Sequence, residues 1–305
     1  MSKPWVFISP SSRGIGLAVT RHLLRNTTLP ILATTRSHDT SAAKESLLDS
    51  LKHHHHQQQQ GQHHDGAHQD ASSRLHVLQL DVTDEASIQA ASERAAALFP
   101  PKTHHLHVGL ALPGILHPEK STRQVDYAAA VDTFKVNTLG PLMLLKWFGD
   151  FLPRKATDMS AAAAAVGDTS PVRDEERAEE DGLPLPLQLP PHATFLLMSA
   201  RVGSTSDNRL GGWYTYRASK AGVNSIARTY DNHLRARSGA KAMAVAYHPG
   251  TVRTEFSREF WANVREEKLF SPEFAAAKLV EVLCGRHVDR DRGRCWDWKG
   301  EEVVP

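Results

Sequence analysis

The sequence predicts an α/β protein built on one doubly wound parallel sheet with helices on both faces. Short apolar runs alternate with longer amphipathic stretches along the chain, and a glycine-containing turn directly follows the first apolar run. Alternation of strands and helices implies βαβ units, in which crossover helices cover both faces of a parallel sheet. A chain of 305 residues with 40% hydrophobic residues can fill one such core, so we expect a single domain over 1–305.

The individual elements follow from the length and the period of each apolar pattern. Short, continuous apolar runs predict strands at Trp5–Ser9, Pro30–Thr35, Leu75–Leu80, Leu106–Leu112, Ala193–Ser199, Ala242–Tyr247 and Arg294–Trp298. Amphipathic stretches predict helices at Ile15–Arg25, Asp84–Phe99, Gln124–Phe151, Tyr216–Arg237 and Pro272–Cys284.

Two segments lack this alternation and predict insertions within the domain. Residues 52–73 form a His/Gln tract that includes His53–His56 and Gln57–Gln60, and residues 156–191 combine an alanine run, an acidic stretch and several prolines. Both compositions are typical of disordered surface loops, since neither can bury enough apolar surface to fold. A metal site in the histidine tract would need a fixed geometry, which such a tract lacks.

The charge balance argues against some functions. Lys and Arg number 36 against 34 Asp and Glu, a net charge of +2 that gives no electrostatic reason to expect nucleic acid or a membrane as partner. No apolar run reaches the length of a transmembrane helix, and the first predicted strand begins almost at the initiator methionine. With Cys284 and Cys295 interpreted as reduced thiols, these features predict a cytoplasmic protein.

The first strand-to-helix turn, Ser9-Pro-Ser-Ser-Arg-Gly-Ile-Gly16, has the composition of a phosphate site. Backbone amides at a helix N-terminus attract a phosphate, and glycine lets that phosphate approach closely. Glycine also serves such turns for purely conformational reasons, so the position at the first βα junction matters more than the spacing. The candidate pyrophosphate contacts are Ser9, Ser11, Arg13, Gly14, Ile15 and Gly16.

The end of the second strand indicates which dinucleotide binds there. It reads Ala33-Thr-Thr-Arg36, without the carboxylate that an NAD site places against the ribose 2′-hydroxyl. The guanidinium of Arg36 can grip a 2′-phosphate, and Arg13 adds a second positive charge. Either arginine alone could simply be solvated, but together they favour NADP(H) as the cofactor.

Tyr216 and Lys220 lie one helical turn apart at the start of a predicted helix. A phenol with a pKa of about 10 exchanges protons poorly at neutral pH unless its anion is stabilised, which a neighbouring ammonium group does. The pair alone could arise by chance. Its position after the fifth predicted strand matters more, because ligands of such sheets bind beyond the carboxyl ends of the strands.

These features resemble the short-chain dehydrogenase/reductase family over nearly the whole chain apart from the two insertions. The matching stretches are Ser9–Gly16, Leu80–Thr83, Val136–Asn137, the Tyr216/Lys220 pair and Pro249–Thr254. Similarity to the C-factor-like subgroup is seen at Pro118–Asp126, Ser199–Ser204, Asp207–Tyr216 and His248–Gly250. The resemblance implies a single Rossmann-type domain and an NADP(H)-dependent oxidoreductase that interconverts a carbonyl and an alcohol.

The resemblance also implies roles for individual side chains. Tyr216 would be the acid/base, Lys220 would tune its pKa and bind the ribose, and Asn137 would hold a water that links Lys220 to solvent. Simpler alternatives are a helix cap for Asn137 and Asp81 and a loop hydroxyl for Thr254. The further cofactor contacts that the resemblance implies are Asp81 and Val82 at the adenine, Pro249 and Gly250 in the loop after the sixth strand, and Val252 and Thr254 at the carboxamide.

Three departures from the family pattern bear on activity. Pro10 replaces the first glycine of the turn, and Ala111-Leu-Pro-Gly114 stands where the family carries two asparagines before an Ala-Gly pair. Ala200 occupies the usual position of a catalytic serine, whereas Ser199, one residue earlier, should point to the opposite face of the strand. Ser204 on the following loop is a second candidate, so the assisting hydroxyl could come from either serine or be missing.

The substrate side of the site is less well defined by the sequence. The pocket of a small carbonyl or alcohol substrate would be lined by Trp213, Tyr214 and the segment Glu255–Phe270, although both aromatic residues could equally belong to the core or to a dimer contact. The resemblance suggests a homodimer or homotetramer, and no metal is implied. A nucleotide-binding sensor or signalling protein with little turnover is the alternative to an enzyme.

Overall fold

The central sheet confirms the predicted α/β fold. The structure, a computed structural model, describes residues 1–53, 70–160, 187 and 189–305. The strands of the main sheet are β1 Lys3–Ser9, β2 Ile31–Thr35, β3 Leu75–Gln79, β4 His104–Ala111, β5 Ala193–Met198, β6 Ala242–His248, β9 Cys295–Asp297 and β10 Glu302–Val303. A separate pair consists of β7 Thr251–Val252 and β8 Leu269–Phe270.

The order of the strands is that of a doubly wound sheet. Across the sheet they run β10, β9, β6, β5, β4, β1, β2, β3, and every neighbouring pair is parallel except β9 and β10. The chain builds outward from β1 to β3, returns to β4 beside β1, and then builds outward in the other direction. Ligands of such sheets bind at the carboxyl ends of the strands around this switch point. The antiparallel β10 is an addition to the parallel sheet that the sequence predicted.

The helices lie close to their predicted positions, with two differences. An unpredicted helix covers Thr40–His53, and the predicted helical stretch Gln124–Phe151 consists of two α-helices joined by a π-helical turn, Lys135–Leu139. Pro141 has no N–H to continue the ladder of hydrogen bonds, so the helical register changes there. No helix in the described ranges is long and apolar enough to cross a bilayer. The helices are α1 Gly14–Asn26, α2 Thr40–His53, α3 Glu85–Leu98, α4 Tyr127–Phe134, α5 Gly140–Phe148, α6 Tyr214–Arg237 and α7 Pro272–Cys284.

Side chains of the central strands alternate between two hydrophobic cores, one on each face of the sheet. From β1, Trp5 and Phe7 enter one core, and Val6 and Ile8 enter the other. Phe7 stacks on Phe148 of α5 with ring centroids 3.9 Å apart, while α1 packs against α7 on the opposite face. Burial on both faces explains why these strands read as continuous apolar runs.

The predicted insertions fall mostly outside the described residues. Of 52–73, the first two residues belong to α2, residues 70–74 are helical, and 54–69 lie outside. Of 156–191, residues 161–186 and 188 lie outside, whereas Leu187 and Leu189 pack against the core that contains Val6 and Ile8. Disorder in the two insertions and a single domain over 1–305 therefore stay predictions.

Candidate active site

The predicted site residues gather at one edge of the sheet, because the parallel strands all end there. The glycine turn follows β1, Arg36 follows β2, Asp81 follows β3 and Gly114 follows β4. Tyr216 and Lys220 lie in the first turns of α6, which follows β5. Residues from distant parts of the chain thus meet at the carboxyl edge, where doubly wound sheets bind ligands.

The turn between β1 and α1 is too closely packed for larger residues than glycine. A Cβ atom at Gly16 would collide with the carbonyl oxygen of Pro10, and Gly14 has a φ of +55°. A Cβ atom at Gly14 would lie 3.4 Å from the Thr254 side chain, so the turn faces the loop that follows β6. The first amides of α1 therefore lie at the carboxyl edge, in the position that suits a pyrophosphate.

The two serines of the turn differ in their partners. Ser11 is fully buried, and its hydroxyl donates to the Thr34 carbonyl at 2.9 Å and accepts from the Thr34 N–H at 2.7 Å. Ser11 therefore ties the turn to β2. The Ser9 hydroxyl, equally buried, has no hydrogen-bond partner among the described residues. Ile15 is partly buried and packs against the core under α1.

Arg13, Arg36 and Asp81 lie at the carboxyl edge near the ends of β1, β2 and β3, where the cofactor is expected. Arg13 and Arg36 are exposed, and within the described part of the chain neither guanidinium forms an ion pair. Partial burial raises the pKa of Asp81, but hydrogen bonds from Thr83 and the charge of Arg36 outweigh this and lower its pKa overall. Val82 is partly buried against the start of α5. An unpaired guanidinium at the end of β2 is available to a phosphate.

Tyr216 and Lys220 are buried on the same side of α6, being 6% and 1% exposed. The Lys220 Nζ lies 5.8 Å from the centroid of the Tyr216 ring and donates to the Met198 carbonyl at 2.7 Å. Burial lowers the pKa of Lys220 to about 7 and raises the pKa of Tyr216 above its usual value. Because burial disfavours the tyrosinate, the charge of the nearby ammonium is what favours it.

Asn137 lies fully buried in the π-helical turn and connects the end of β4 to α6. Its Oδ1 accepts the Ile115 N–H at 2.8 Å, and its Nδ2 donates to the Ile115 carbonyl at 2.9 Å and to the Ser219 hydroxyl at 3.1 Å. A Cβ atom at Gly114 would lie 3.8 Å from Lys220 Nζ and 3.9 Å from Asn137 Oδ1. Gly114, Asn137 and Lys220 therefore converge on one small space.

Both serines near the end of β5 use their hydroxyls within the fold. Ser199 donates to Asn224 Oδ1 at 2.6 Å, in keeping with the opposite-face orientation that strand alternation predicts. Ser204 accepts the Asp207 N–H at 3.0 Å and closes a turn. Ala200, between them in the chain, offers no hydroxyl. Ser199 therefore donates its hydroxyl proton to Asn224, whereas Ser204 acts as an acceptor in its turn.

Aromatic rings surround Tyr216. Trp213 lies edge-on to the Tyr216 ring with centroids 6.1 Å apart, and Phe256 lies 6.0 Å from the same ring. Phe260 packs on Trp213 at 5.0 Å. Tyr214 is 43% exposed instead. Trp213 and two phenylalanines of the segment after β7 thus form an apolar wall beside the phenol.

The loop after β6 borders the site next to the glycine turn. Gly250 has a φ of +74°, and a Cβ atom there would lie 2.6 Å from the Phe270 ring. The Pro249–Gly250 turn therefore requires glycine. Val252 is 5% exposed, and the Thr254 hydroxyl lies 3.4 Å from the Val252 carbonyl. This loop approaches the glycine turn through the Thr254 methyl group.

Comparisons of sequence give partial matches. No protein-family model matches the chain. Over 87 residues the chain is 34% identical to 1-hydroxy-2-glutathionyl-2-methyl-3-butene dehydrogenase of Rhodococcus sp. (strain AD45). The matched segment covers 28% of this chain and 36% of that protein. Over 179 residues it is 27% identical to C-signal of Myxococcus xanthus, which covers 59% of this chain and 80% of that protein. The chain thus spans about a third of the length of the dehydrogenase.

Comparison of structures extends over the whole chain. The protein is similar to an NADPH-bound carbonyl reductase from chicken fatty liver, with a TM-score of 0.69, 22% identity and 100% of both chains covered. The chain therefore has the fold of this carbonyl reductase. The strand order, the glycine turn and the buried Tyr216/Lys220 pair all lie within the matched fold.

Three further residues near the site were not predicted from the sequence. Ser219 donates to the Tyr216 carbonyl at 2.7 Å, and the Thr138 hydroxyl donates to the Ser219 carbonyl at 3.0 Å. Glu119 contacts the first turn of α6. Ser219 lies between Tyr216 and Lys220 in the chain, which is a signal that could have been used. Nothing local marks the other two, because their partners are distant in sequence.

No metal site emerges from the residues that the structure describes. Within those ranges, no group of three or more His, Cys, Asp or Glu side chains could hold a metal ion. Most of the histidine tract lies outside them. Both cysteines are free thiols.

Proposed function

We propose that this protein is an NADP(H)-dependent oxidoreductase that interconverts a carbonyl and an alcohol, with Tyr216 as the acid/base. The observation that carries the proposal is the buried pair of Tyr216 and Lys220, which lies next to Asn137 at the carboxyl edge of the sheet. The NADPH-bound state of the chicken carbonyl reductase, which has the same fold, supports the choice of cofactor.

Reduction of a carbonyl adds a hydride at carbon and a proton at oxygen. Bound NADPH supplies the hydride. Tyr216 hydrogen-bonds the carbonyl oxygen and transfers its proton to the forming alkoxide, while the Lys220 ammonium stabilises the tyrosinate that results. Asn137 reaches the same space as Lys220 and would hold the water through which the proton returns from solvent. Oxidation of an alcohol uses the same groups in reverse.

The residues around the glycine turn fit an NADP(H) molecule. A Cβ atom at Gly16 has no room, the buried Ser9 hydroxyl has no described partner, and Arg36 forms no ion pair in the described ranges. These are the features of a site that receives a phosphate. The cofactor would contact Ser9, Ser11, Arg13, Gly14, Ile15 and Gly16 with its pyrophosphate, Arg36 with its 2′-phosphate, Asp81 and Val82 with its adenine, Tyr216 and Lys220 with its ribose, and Pro249, Gly250, Val252 and Thr254 with its nicotinamide end.

A nucleotide-binding sensor is the second candidate function, and one observation favours it. Ala200 supplies no hydroxyl, and the adjacent Ser199 donates its own to Asn224. Loss of one polarising donor lowers rates by about 10²–10³, which weakens turnover without abolishing it. The intact Tyr216/Lys220 pair therefore favours the enzyme. A small-molecule substrate belongs to this proposal, whereas a homodimer or homotetramer and a cytoplasmic location stay predictions.

The test is NADPH oxidation against a panel of carbonyl compounds, followed for the wild type and two tyrosine variants. Tyr216→Phe should lower kcat by about 10²-fold or more, because it removes the proton donor, and should leave the Kd for NADPH unchanged. Tyr214→Phe makes the same change at an exposed neighbour and should retain full turnover.

Two outcomes would count against the proposal. Tight NADPH binding with no turnover on any carbonyl would favour the sensor. Equal kcat values for the wild type and Tyr216→Phe would refute the role given to Tyr216.

A further inference from the structure

Glu119 is a buried carboxylate that the mechanism above does not use. It is 4% exposed and lies in the segment between β4 and α4. Its Oε2 accepts the Thr215 N–H at 2.9 Å, and its Oε1 accepts the Thr215 hydroxyl. Within the described residues no Lys or Arg forms an ion pair with it. The carboxylate is therefore held by the N-terminus of α6, where a negative charge is favourable.

The backbone of Glu119 contacts the turn just before α6. Its carbonyl accepts the Trp213 N–H at 2.6 Å, and a Cβ atom at Gly212 would lie 3.3 Å from the same oxygen. One residue thus binds both Trp213 and Thr215. The first forms the apolar wall, and the second directly precedes Tyr216.

The turn that Glu119 contacts has an unfavourable backbone conformation. Gly211, Gly212 and Trp213 have φ values of +64°, +66° and +51°. A tryptophan in the left-handed region persists only where its surroundings fix it. Arg217 fixes the turn from the other side, donating to the carbonyls of Gly212 and Gly211 at 2.9 and 3.1 Å. Glu119 and Arg217 together therefore determine the path of the chain into α6.

We propose that Glu119 is a positioning residue, which holds the turn before α6 so that Trp213 forms the pocket wall and Tyr216 faces the substrate. This inference rests on the proposed function. The Glu119–Thr215 contact spans 96 residues and joins the segment after β4 to the helix that carries the acid/base. The Glu119 carboxylate holds Thr215 and its backbone carbonyl holds Trp213, so a substitution of the side chain acts on the turn through Thr215.

Glu119→Gln tests the proposal with little change in size, since it replaces one acceptor oxygen with a nitrogen that cannot accept from Thr215. We expect a kcat about tenfold lower or more, because a displacement of about 1 Å at a reacting group costs on the order of 10² in rate. The pH profile of kcat should shift as the spacing of Tyr216 and Lys220 changes, and the Kd for NADPH should not change.

Asp84→Asn is the matched control. Asp84 caps α3 by accepting the Ala86 N–H at 3.0 Å, so the variant makes the same carboxylate-to-amide change at a helix that carries no proposed catalytic residue. Its kcat and pH profile should match the wild type. A Glu119→Gln protein with a lower Tm but an unchanged kcat and pH profile would refute the positioning role.

Thr215→Val removes the hydroxyl partner from the other side of the same contact. It should also lower kcat, and the double variant should lose less than the product of the two single effects, because both act through one contact. If the effects of the two substitutions on kcat simply multiply in the double variant, the proposal is contradicted. If Glu119→Gln does not fold, an unchanged kcat in Thr215→Val would overturn it.

A readout that needs no turnover separates this inference from the proposed function. In protein labelled with 5-fluorotryptophan, the ¹⁹F resonance of Trp213, assigned with Trp213→Phe, should shift in Glu119→Gln and stay in place in Asp84→Asn. If the Trp213 resonance shifts in Glu119→Gln but the wild type reduces no carbonyl, the proposed function is refuted and the contact between Glu119 and the turn still stands. An unchanged resonance in an active protein would refute the positioning role alone.

Discussion

The two edges of the parallel sheet both bury polar side chains, but they use them differently. At the carboxyl edge, Lys220 and Asn137 point toward the same small space beside Gly114. At the amino edge, His105 and His107 of β4 are each 1% exposed. Their ring nitrogens form hydrogen bonds with one another and with the surrounding chain.

The contacts of the amino edge form a continuous series. His105 Nδ1 lies 3.0 Å from the Ser2 hydroxyl, and His105 Nε2 lies 3.3 Å from His107 Nδ1. His107 Nε2 in turn lies 2.9 Å from the Pro190 carbonyl. These bonds join the start of the chain, β4 and the end of the second predicted insertion, so they serve the fold.

Buried polar groups at the amino edge therefore stabilise the fold, whereas those at the carboxyl edge are available for function. The two histidines use their ring nitrogens within the fold and so fix a packing arrangement, whereas the Lys220 ammonium has three N–H donors and its described bond to the Met198 carbonyl uses one. Variants at the two edges should therefore separate turnover from stability.

The largest expected effect is at Lys220. Lys220→Met should lower kcat by about 10²-fold or more, because it removes the charge that stabilises the tyrosinate, and should weaken NADPH binding. Lys241→Met is the matched control, since Lys241 Nζ also donates to a backbone carbonyl, that of Thr157, at the start of β6. Steady-state kinetics should show loss in the first variant alone. A common loss of kcat in both would contradict the division between the edges.

Acid should destabilise the amino edge. Burial lowers the pKa of His107 to about 4, so the folded state binds this proton less readily than the unfolded chain. The stabilisation is therefore complete above the unfolded pKa of about 6.5 and falls as the pH drops toward 4, by about 3 kcal/mol for this residue. Tm values measured between about pH 7 and pH 4.5 check this. His107→Gln should show a flatter dependence, and an identical slope would contradict the prediction.

Arg36 follows β2 at the carboxyl edge, and Arg74 precedes β3 at the amino edge. Arg74 donates to Asp70, Leu29 and Leu24 at 2.8, 3.1 and 3.1 Å, so its guanidinium serves the fold. Arg36→Ala should raise the KM for NADPH by about tenfold and leave that for NADH unchanged, because a charged contact to the 2′-phosphate is lost. Arg74→Ala should lower the Tm without altering the preference. An unaltered NADPH preference in Arg36→Ala would refute the cofactor assignment.

The smallest expected effect is a gain. Ala200→Ser would place a hydroxyl at the position that lacks one and should raise kcat on simple ketones by about tenfold, less than the full value of an established donor. Ala200→Val adds bulk without a hydroxyl and should give no gain. Equal kcat values for the wild type and Ala200→Ser would show that no polarising donor is missing.

Features with local causes could be predicted from the sequence. The buried strand β6 follows a continuous apolar run, Ala242–Tyr247, and α7 covers Pro272–Cys284 as predicted. The spacing of Tyr216 and Lys220 requires only one helical turn.

Features that depend on distant partners could not be predicted. Glu119 meets Thr215 across 96 residues, and His105 meets Ser2 across 103. No periodicity encodes such contacts, because each side chain looks like an ordinary polar residue in its own segment. The π-helical turn before Pro141 has a similar explanation. It depends on how the backbone forms its hydrogen bonds where proline lacks an N–H, and the spacing of apolar residues does not report this.

The edge strand β10 has a consequence for how the molecule meets other chains. It contains two residues, Glu302 and Val303, and an ion pair joins Glu302 to Arg294 at 2.8 Å. A long, uncharged edge would present a row of unpaired amides and carbonyls to a neighbouring polypeptide, whereas a short charged one presents little. Extension of the sheet by β-augmentation is therefore disfavoured on this side, and concentrated protein should resist aggregation that begins there.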